Sequence, residues 1–225
     1  MKKSLSILAL FCCLIINANA SVVLGGTRVI YGGDKKETSI SVRNNDKTPF
    51  LVQSWVNNFN SADTQKVPFT VTPPLFRIEP ESANAVRIVL TDPNLPTDKE
   101  SIYWLNVKSI PPTDPNSTNN LTISINNKIK LIYRPTNLPN ADALTAYEKL
   151  SFEKQGNNLK AKNPTPYYVS FGDLKVGNKE IDEPGMVPPM GEMSWNVSGI
   201  QANQVTWNAV NDHGAITKSK TQILK

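Results

Sequence analysis

Apolar and polar residues alternate in short runs along most of this chain. Residues 39–43 read Ser-Ile-Ser-Val-Arg and residues 121–125 read Leu-Thr-Ile-Ser-Ile. A period of two puts one face of a strand on a core and leaves the other in water. Further runs rich in Val, Ile, Tyr, Phe and Trp lie at 27–31, 50–56, 85–90 and 102–110, and another continues from 121 to 133. They are separated by turn residues such as Gly32-Gly33, Asn44-Asn45-Asp46 and Pro111-Pro112. That cadence predicts an all-β sandwich rather than strands alternating with helices. Val71-Thr72-Pro73-Pro74 reads as a turn or bulge that admits a cis peptide.

The pattern breaks at Arg134-Pro135-Thr136-Asn137-Leu138-Pro139-Asn140. Two prolines among polar neighbours make a stiff connector suited to fixing an angle between domains. Residues 141–149 are compatible with a short helical turn. Strand-like runs then resume, shorter and weaker, at 150–153, 159–162, 167–171, 193–197 and 205–210. The expectation is two β-sandwich domains, 21–138 and 139–225, with no internal repeat beyond their shared style.

The first twenty residues stand apart. Lys2 and Lys3 precede an apolar run from 5 to 16, and Ala18-Asn19-Ala20 supplies small residues where a signal peptidase reads. This predicts a secretory signal peptide cleaved after Ala20. The run is short for a permanent anchor, and no later segment is long enough to cross a bilayer, so stable membrane insertion is not expected. Both cysteines, Cys12 and Cys13, fall inside that leader. The remainder thus enters an oxidising compartment without disulfides and must rely on its cores, which about 200 residues allow. Losing Lys2 and Lys3 lowers the formal charge from +5 by two, too mild a balance to indicate nucleic acid.

Enzyme chemistry finds little support in these residues. The one histidine, His213, sits in the turn-like Asn211-Asp212-His213-Gly214. One histidine and no cysteine beyond the leader do not supply the usual zinc constellations. Gly-X-Ser-X-Gly and Walker loops are absent, so no cofactor is implied and no ATP site is visible. More unusual are Arg28 inside the apolar run 27–31 and Lys130 inside 129–133. Each alone reads as a charge on a solvated face. Together in a two-domain protein they could converge on one carboxylate, the arginine as a bidentate fork and the lysine as a compact charge. A secreted structural or adhesive β-sandwich module is the competing reading.

Several segments resemble the periplasmic pilus chaperones of the PapD and FimC type. They are Thr27-Arg28-Val29-Ile30-Tyr31, Gln53-Ser54-Trp55-Val56, Thr72-Pro73-Pro74-Leu75-Phe76-Arg77 and Glu100-Ser101-Ile102-Tyr103-Trp104-Leu105-Asn106. Further on come Lys128-Ile129-Lys130-Leu131-Ile132-Tyr133-Arg134-Pro135, Asn163-Pro164-Thr165-Pro166-Tyr167-Tyr168 and Asn211-Asp212-His213-Gly214. The matches run in order along nearly the whole chain after residue 20. The resemblance implies two immunoglobulin-like domains in a boomerang, the cleft receiving a pilus (fimbrial) subunit. It implies that Arg28 and Lys130 anchor the subunit's C-terminal carboxylate, and that Leu121, Ile123 and Ile125 are the residues of a donated strand. Glu100, Arg134 and Asp212 match a charged trio holding the interdomain angle, and an outer-membrane usher would be the second partner. The short connection between 110 and 121 matches the short-loop subgroup. Where the family has tyrosine in its Asn-Asp-Tyr-Gly turn, His213 stands here. An uncapped strand edge also makes self-association of the free form possible. One difficulty accompanies the assignment. Strict alternation places Lys130 on the face opposite Leu121, so a bulge or strong twist near Asn126-Asn127 is expected.

Overall fold

A computed structural model describes residues 21–113 and 121–224; the predicted leader, residues 1–20, lies outside them. Nine strands form the first part: β1 (Val22–Leu24), β2 (Arg28–Gly32), β3 (Glu37–Asn44), β4 (Phe50–Asn58), β5 (Phe69–Thr72), β6 (Leu75–Ile78), β7 (Ala83–Leu90), β8 (Ser101–Ile110) and β9 (Ile125–Arg134). One sheet has the order β1-β3-β7-β5, and the facing sheet the order β2-β9-β8-β4-β6. Their inner faces meet in a core with Val42, Val52, Val86, Ile88, Leu105, Val107 and Leu131 fully enclosed. The alternation read at 39–43 is realised, with Ile40 and Val42 inward and Ser39, Ser41 and Arg43 outward.

After the proline connector come α1 (Asn140–Thr145) and a 3-10 turn (Ala146–Lys149). The second part follows: β10 (Ser151–Gln155), β11 (Asn158–Lys162), β12 (Val169–Val176), β13 (Lys179–Glu180), β14 (Met186–Val187), β15 (Glu192–Asn196), β16 (Gln204–Ala209) and β17 (Lys220–Ile223). Sheets β10-β11-β15 and β13-β12-β16-β17 enclose a separate core around Phe152, Leu159, Leu174, Val205 and Trp207. The free edges of β10 and β17 are sealed to each other by a side chain. Gln222 accepts from Phe152 N at 3.0 Å and donates to Phe152 O at 2.7 Å, standing in for a backbone partner.

The structure departs from the sequence reading in three places. Residues 121–124 are not strand, and Leu121, Ile123 and Ile125 are 86%, 66% and 57% exposed; their alternation covers no core of this chain. No bulge occurs at Asn126-Asn127. The β8–β9 register runs unbroken from Ser109↔Ile125 to Ser101↔Tyr133, so Lys130 does lie on the face opposite the exposed row. Finally, six strands escaped notice: β1, β5, β6, β13, β14 and β17. All are four residues or fewer, too short to show a period. The bond Thr72-Pro73, between β5 and β6, is cis.

Candidate functional site

The functional geometry begins where the chain changes sheets. β1 pairs with β3 in one sheet, whereas β2 pairs in parallel with β9 in the other. Gly25, Gly26 and Thr27 make the crossing, and Gly25 N stays with the first sheet by donating to Ser41 O at 2.9 Å. β2 therefore joins β9 only from Lys130 onward, where its first residue, Arg28, is the registered partner. Ahead of that point, residues Ile125 to Ile129 pair with β8 on one side and, among the described residues, with no strand on the other. Their outer N–H and C=O groups form an open sheet edge.

The two faces of β9 carry different chemistry. Leu131 and Tyr133 point into the first core, and Ile129 packs against it. Ile125, in step with them, and Ile123 and Leu121 beyond it prolong the apolar row outside the sandwich, where they are exposed. On the opposite face Lys130 Nζ donates to Ser170 Oγ at 2.9 Å, and Arg28 Nη1 donates to Val210 O at 2.9 Å. Both cations thus reach the second sandwich and form the floor of the cleft. Arg28 Nε is buried with no hydrogen-bond partner among the described residues. Desolvation lowers the Lys130 ammonium to about 8, helped by the charge of Arg28. It also lowers Arg28, against the opposing pull of Asp212. Two neighbouring, half-desolvated cations with unused donor capacity have the chemistry to receive a carboxylate.

A second ionic group lies just behind. Arg134 Nε donates to Glu100 Oε1 at 2.7 Å, while Nη1 and Nη2 donate to Asp212 at 2.7 and 3.1 Å. Nη1 also reaches Asn140 Oδ1 at 2.7 Å. Glu100 Oε2 accepts from Tyr168 N at 2.7 Å, and Glu100 N donates to Pro166 O at 2.9 Å. Burial raises the Glu100 carboxyl above its usual range, with Arg134 as the main opposing influence. These bonds tie β8, β9 and the connector to the second sandwich. Gly214, at φ +82°, lets the turn carrying Asp212 close on Thr27, since a Cβ there would meet Thr27 Oγ1 at 2.6 Å. His213 is in that turn, its backbone N–H donating to Asn211 Oδ1.

All the residues singled out from sequence converge on β9 and its surroundings, in three groups. Arg28 pairs with Lys130, Glu100 and Asp212 meet on Arg134, and Leu121, Ile123 and Ile125 share the exposed row. Sequence reading missed Ser170, Val210 and Asn140. Nothing in the strings around them signals a role, because the partners of Ser170 and Val210 lie 40 and 182 residues away.

Comparison with known proteins decides the family. The model of the pili and flagellar-assembly chaperone, PapD N-terminal domain, matches residues 21–139, and that of the pili assembly chaperone PapD, C-terminal domain, matches 145–221. The chain belongs to the pilus-assembly chaperone family. The probable fimbrial chaperone LpfB of Escherichia coli O157:H7 is 42% identical over 206 residues, 89% of this chain and 88% of that one. FimC of Escherichia coli K12 is 39% identical over 212 residues, 92% and 86% of the two chains. Among solved structures, the SafB chaperone of Salmonella enterica, in complex with the SafA pilin, superposes with a TM-score of 0.80 at 35% identity, covering 93% of this chain and 99% of that one. Escherichia coli DraB gives 0.77 at 35% identity, covering 91% and 97%. The protein is therefore a fimbrial chaperone with the two-domain fold of its family, and the adhesive-module reading falls. Pilus chaperones are periplasmic, non-enzymatic proteins. Among the described residues no helix is long and apolar enough to cross a membrane.

Proposed function

We propose that this chaperone holds a fimbrial subunit by lending it the strand formed by the exposed row and β9, and anchors the subunit's C-terminal carboxylate on Arg28 and Lys130. The observation that carries the reading is the open edge at 125–129, ending at two adjacent cations that make no ion pair among the described residues. A strand laid on that edge with its carboxylate at Lys130 must run parallel to β9, in line with β2 and ending just ahead of Arg28. It would satisfy the backbone by β-augmentation, of which chaperone–pilin strand donation is itself a standard case. Leu121, Ile123 and Ile125 would enter the subunit's unfinished core, each contributing about 1.5–3 kcal/mol before the costs of association. The charge pair sets register, and the apolar row supplies contact.

Family membership supports the finer assignments of this reading. The leader is cleaved after Ala20, and residues 21–138 and 139–225 act as two domains. The connection between 110 and 121, part of which lies outside the described residues, marks the short-loop subgroup. The capped subunit is then passed to an outer-membrane usher. Glu100, Arg134 and Asp212 hold the cleft at its working angle.

The test is co-expression with a fimbrial subunit and recovery of the complex. Arg28→Ala and Lys130→Ala each lose one of the two anchors, and removing one partner of a desolvated charge contact costs roughly 2–5 kcal/mol. Both variants should fold, melt cooperatively and recover less than about a tenth of the wild-type complex. Undiminished recovery from either would sink the anchor.

A further inference from the structure

Each cleft cation rests on one acceptor of the second sandwich, and the two acceptors are neighbours. Val210 O receives Arg28 and Ser170 Oγ receives Lys130, while Val210 N donates to Ser170 O at 2.9 Å. An irregularity in β12 sets the direction of this pair. Val169 and Phe171 face the second core, and so do Leu174 and Val176. Sides alternate along a regular strand, so 171 and 174 share a face only if one residue is extra. The register supplies it. Phe171 lies opposite Ala209 and Leu174 opposite Trp207, three steps on β12 against two on β16. A bulge of this kind bends its strand and re-aims the side chains beyond it. Here it turns Ser170 off the core and onto the face of Val210, toward Lys130.

The extra residue in a bulge is left out of the ladder, and one buried side chain answers for it. Asn208 stands between Trp207 and Ala209, opposite the irregularity. Its Oδ1 accepts from Asp173 N at 2.7 Å, and its Nδ2 donates to Asp173 Oδ2 at 2.7 Å. Gly172 makes the room, because a Cβ there would collide with Asn208 Oδ1 and would meet Ile216 Cδ1 at 2.7 Å. This clasp lies just along the two strands from the acceptors, Asn208 on that of Val210 and Asp173 on that of Ser170. We infer that Asn208 and Asp173 are positioning residues of the cleft, their clasp holding the bend that sets Ser170 and Val210 against Lys130 and Arg28. The consequence for subunit binding rests on the anchor reading above, whereas the geometry is tested in the free protein.

Both cysteines lie in the predicted leader. In the chain from residue 21 the thiol of Ser170→Cys therefore titrates alone, and its ultraviolet absorbance follows it. Beside two cations it should titrate below about 8.5, the value of a free cysteine. Adding Asn208→Ala should raise it by about one pH unit, roughly a tenfold loss of thiolate at neutral pH, as the bend relaxes and the cations draw away. Asp173→Ala, at a half-exposed position, leaves one bond of the clasp and should give a smaller rise. It also keeps the test open if Asn208→Ala does not fold. The exchanged pair, Asp173→Asn with Asn208→Asp, restores donor and acceptor with their roles swapped and should return the thiol to its first value. A clasp that only stabilises the second sandwich would lower the urea midpoint and leave the thiol where it was. That result, or a thiol at or above 8.5 with the clasp intact, overturns the inference. Recovery of the chaperone–subunit complex is then read on the clasp variants with Ser170 in place. A raised thiol with reduced recovery supports both readings; a raised thiol with undiminished recovery keeps the clasp and counts against the anchor.

Discussion

At the scale of single residues, the cleft is a charge problem left unsolved in the free protein. Arg28 and Lys130 are registered neighbours on β2 and β9, and each is partly stripped of water, with Asp212 only partly offsetting the cost for Arg28. With its ammonium lowered to about 8, Lys130 as an anchor should make binding pH-dependent. A carboxylate favours the protonated form and raises that value in the complex. Affinity for a subunit's free C-terminus should be level below about pH 8 and fall by up to about tenfold per unit above it. The free protein responds in the opposite sense. Its lysine binds a proton less readily than in the unfolded chain, so folding stability rises as pH climbs from about 8 toward 10.5. Calorimetric titrations with a free-carboxylate peptide across pH 7 to 10 measure the first effect directly. Level affinity through that window would remove Lys130 from the anchor.

At the scale of elements, β9 serves two neighbours with its two faces. Its inner face completes the first core from Tyr133 to Ile129 and then runs out of protein to cover. Its outer face carries Asn126, Lys128 and Lys130 and ends with Arg134 in the interdomain bonds. An unbroken register makes this division possible, because alternate residues then keep to one face for the whole strand. Ile123→Asp places a charge in the exposed row, where this chain buries nothing. The variant should unfold at the same urea concentration as wild type and fail to form a complex with a subunit. If it unfolds early instead, Ile123 supports the chaperone's own core. The alternation of 121–125 was legible in sequence, yet it reads the same for a strand facing its own core as for one facing another protein's. Only the end of the sandwich at Ile125 separates the two.

At the scale of the whole molecule, Arg134 joins Glu100 of the first sandwich to Asp212 of the second, and we expect these bonds to hold the angle between them. Its side chain and that of Glu100 are 3% and 1% exposed, and that of Asp212 is 22%. Removing one member of a buried ion pair leaves the other uncompensated, at a cost of roughly 3–5 kcal/mol. Arg134→Ala should lower stability to urea by about that amount and broaden the small-angle scattering profile as the domains lose their fixed angle. A wild-type profile from this variant would mean that the contacts of Arg28, Lys130 and Thr27 suffice. Those contacts are the ones a bound subunit would share, so the angle and the site are built from neighbouring residues.

The sequence by itself determined the β class, the division near the Pro135–Pro139 connector, and the candidate cations and apolar row, because periods, prolines and isolated charges are local properties. It could not show that β2 leaves the edge of β9 open ahead of Lys130, since an absent strand has no string of its own. Nor could it bring Ser170, Val210 and Asn140 to the cleft, or place Lys128 on the anchor's face. Those depend on strand order and register, which are set when two cores close and distant segments share one sheet. The tertiary structure alone decided that the row 121–125 faces outward, because only packing says where the core ends.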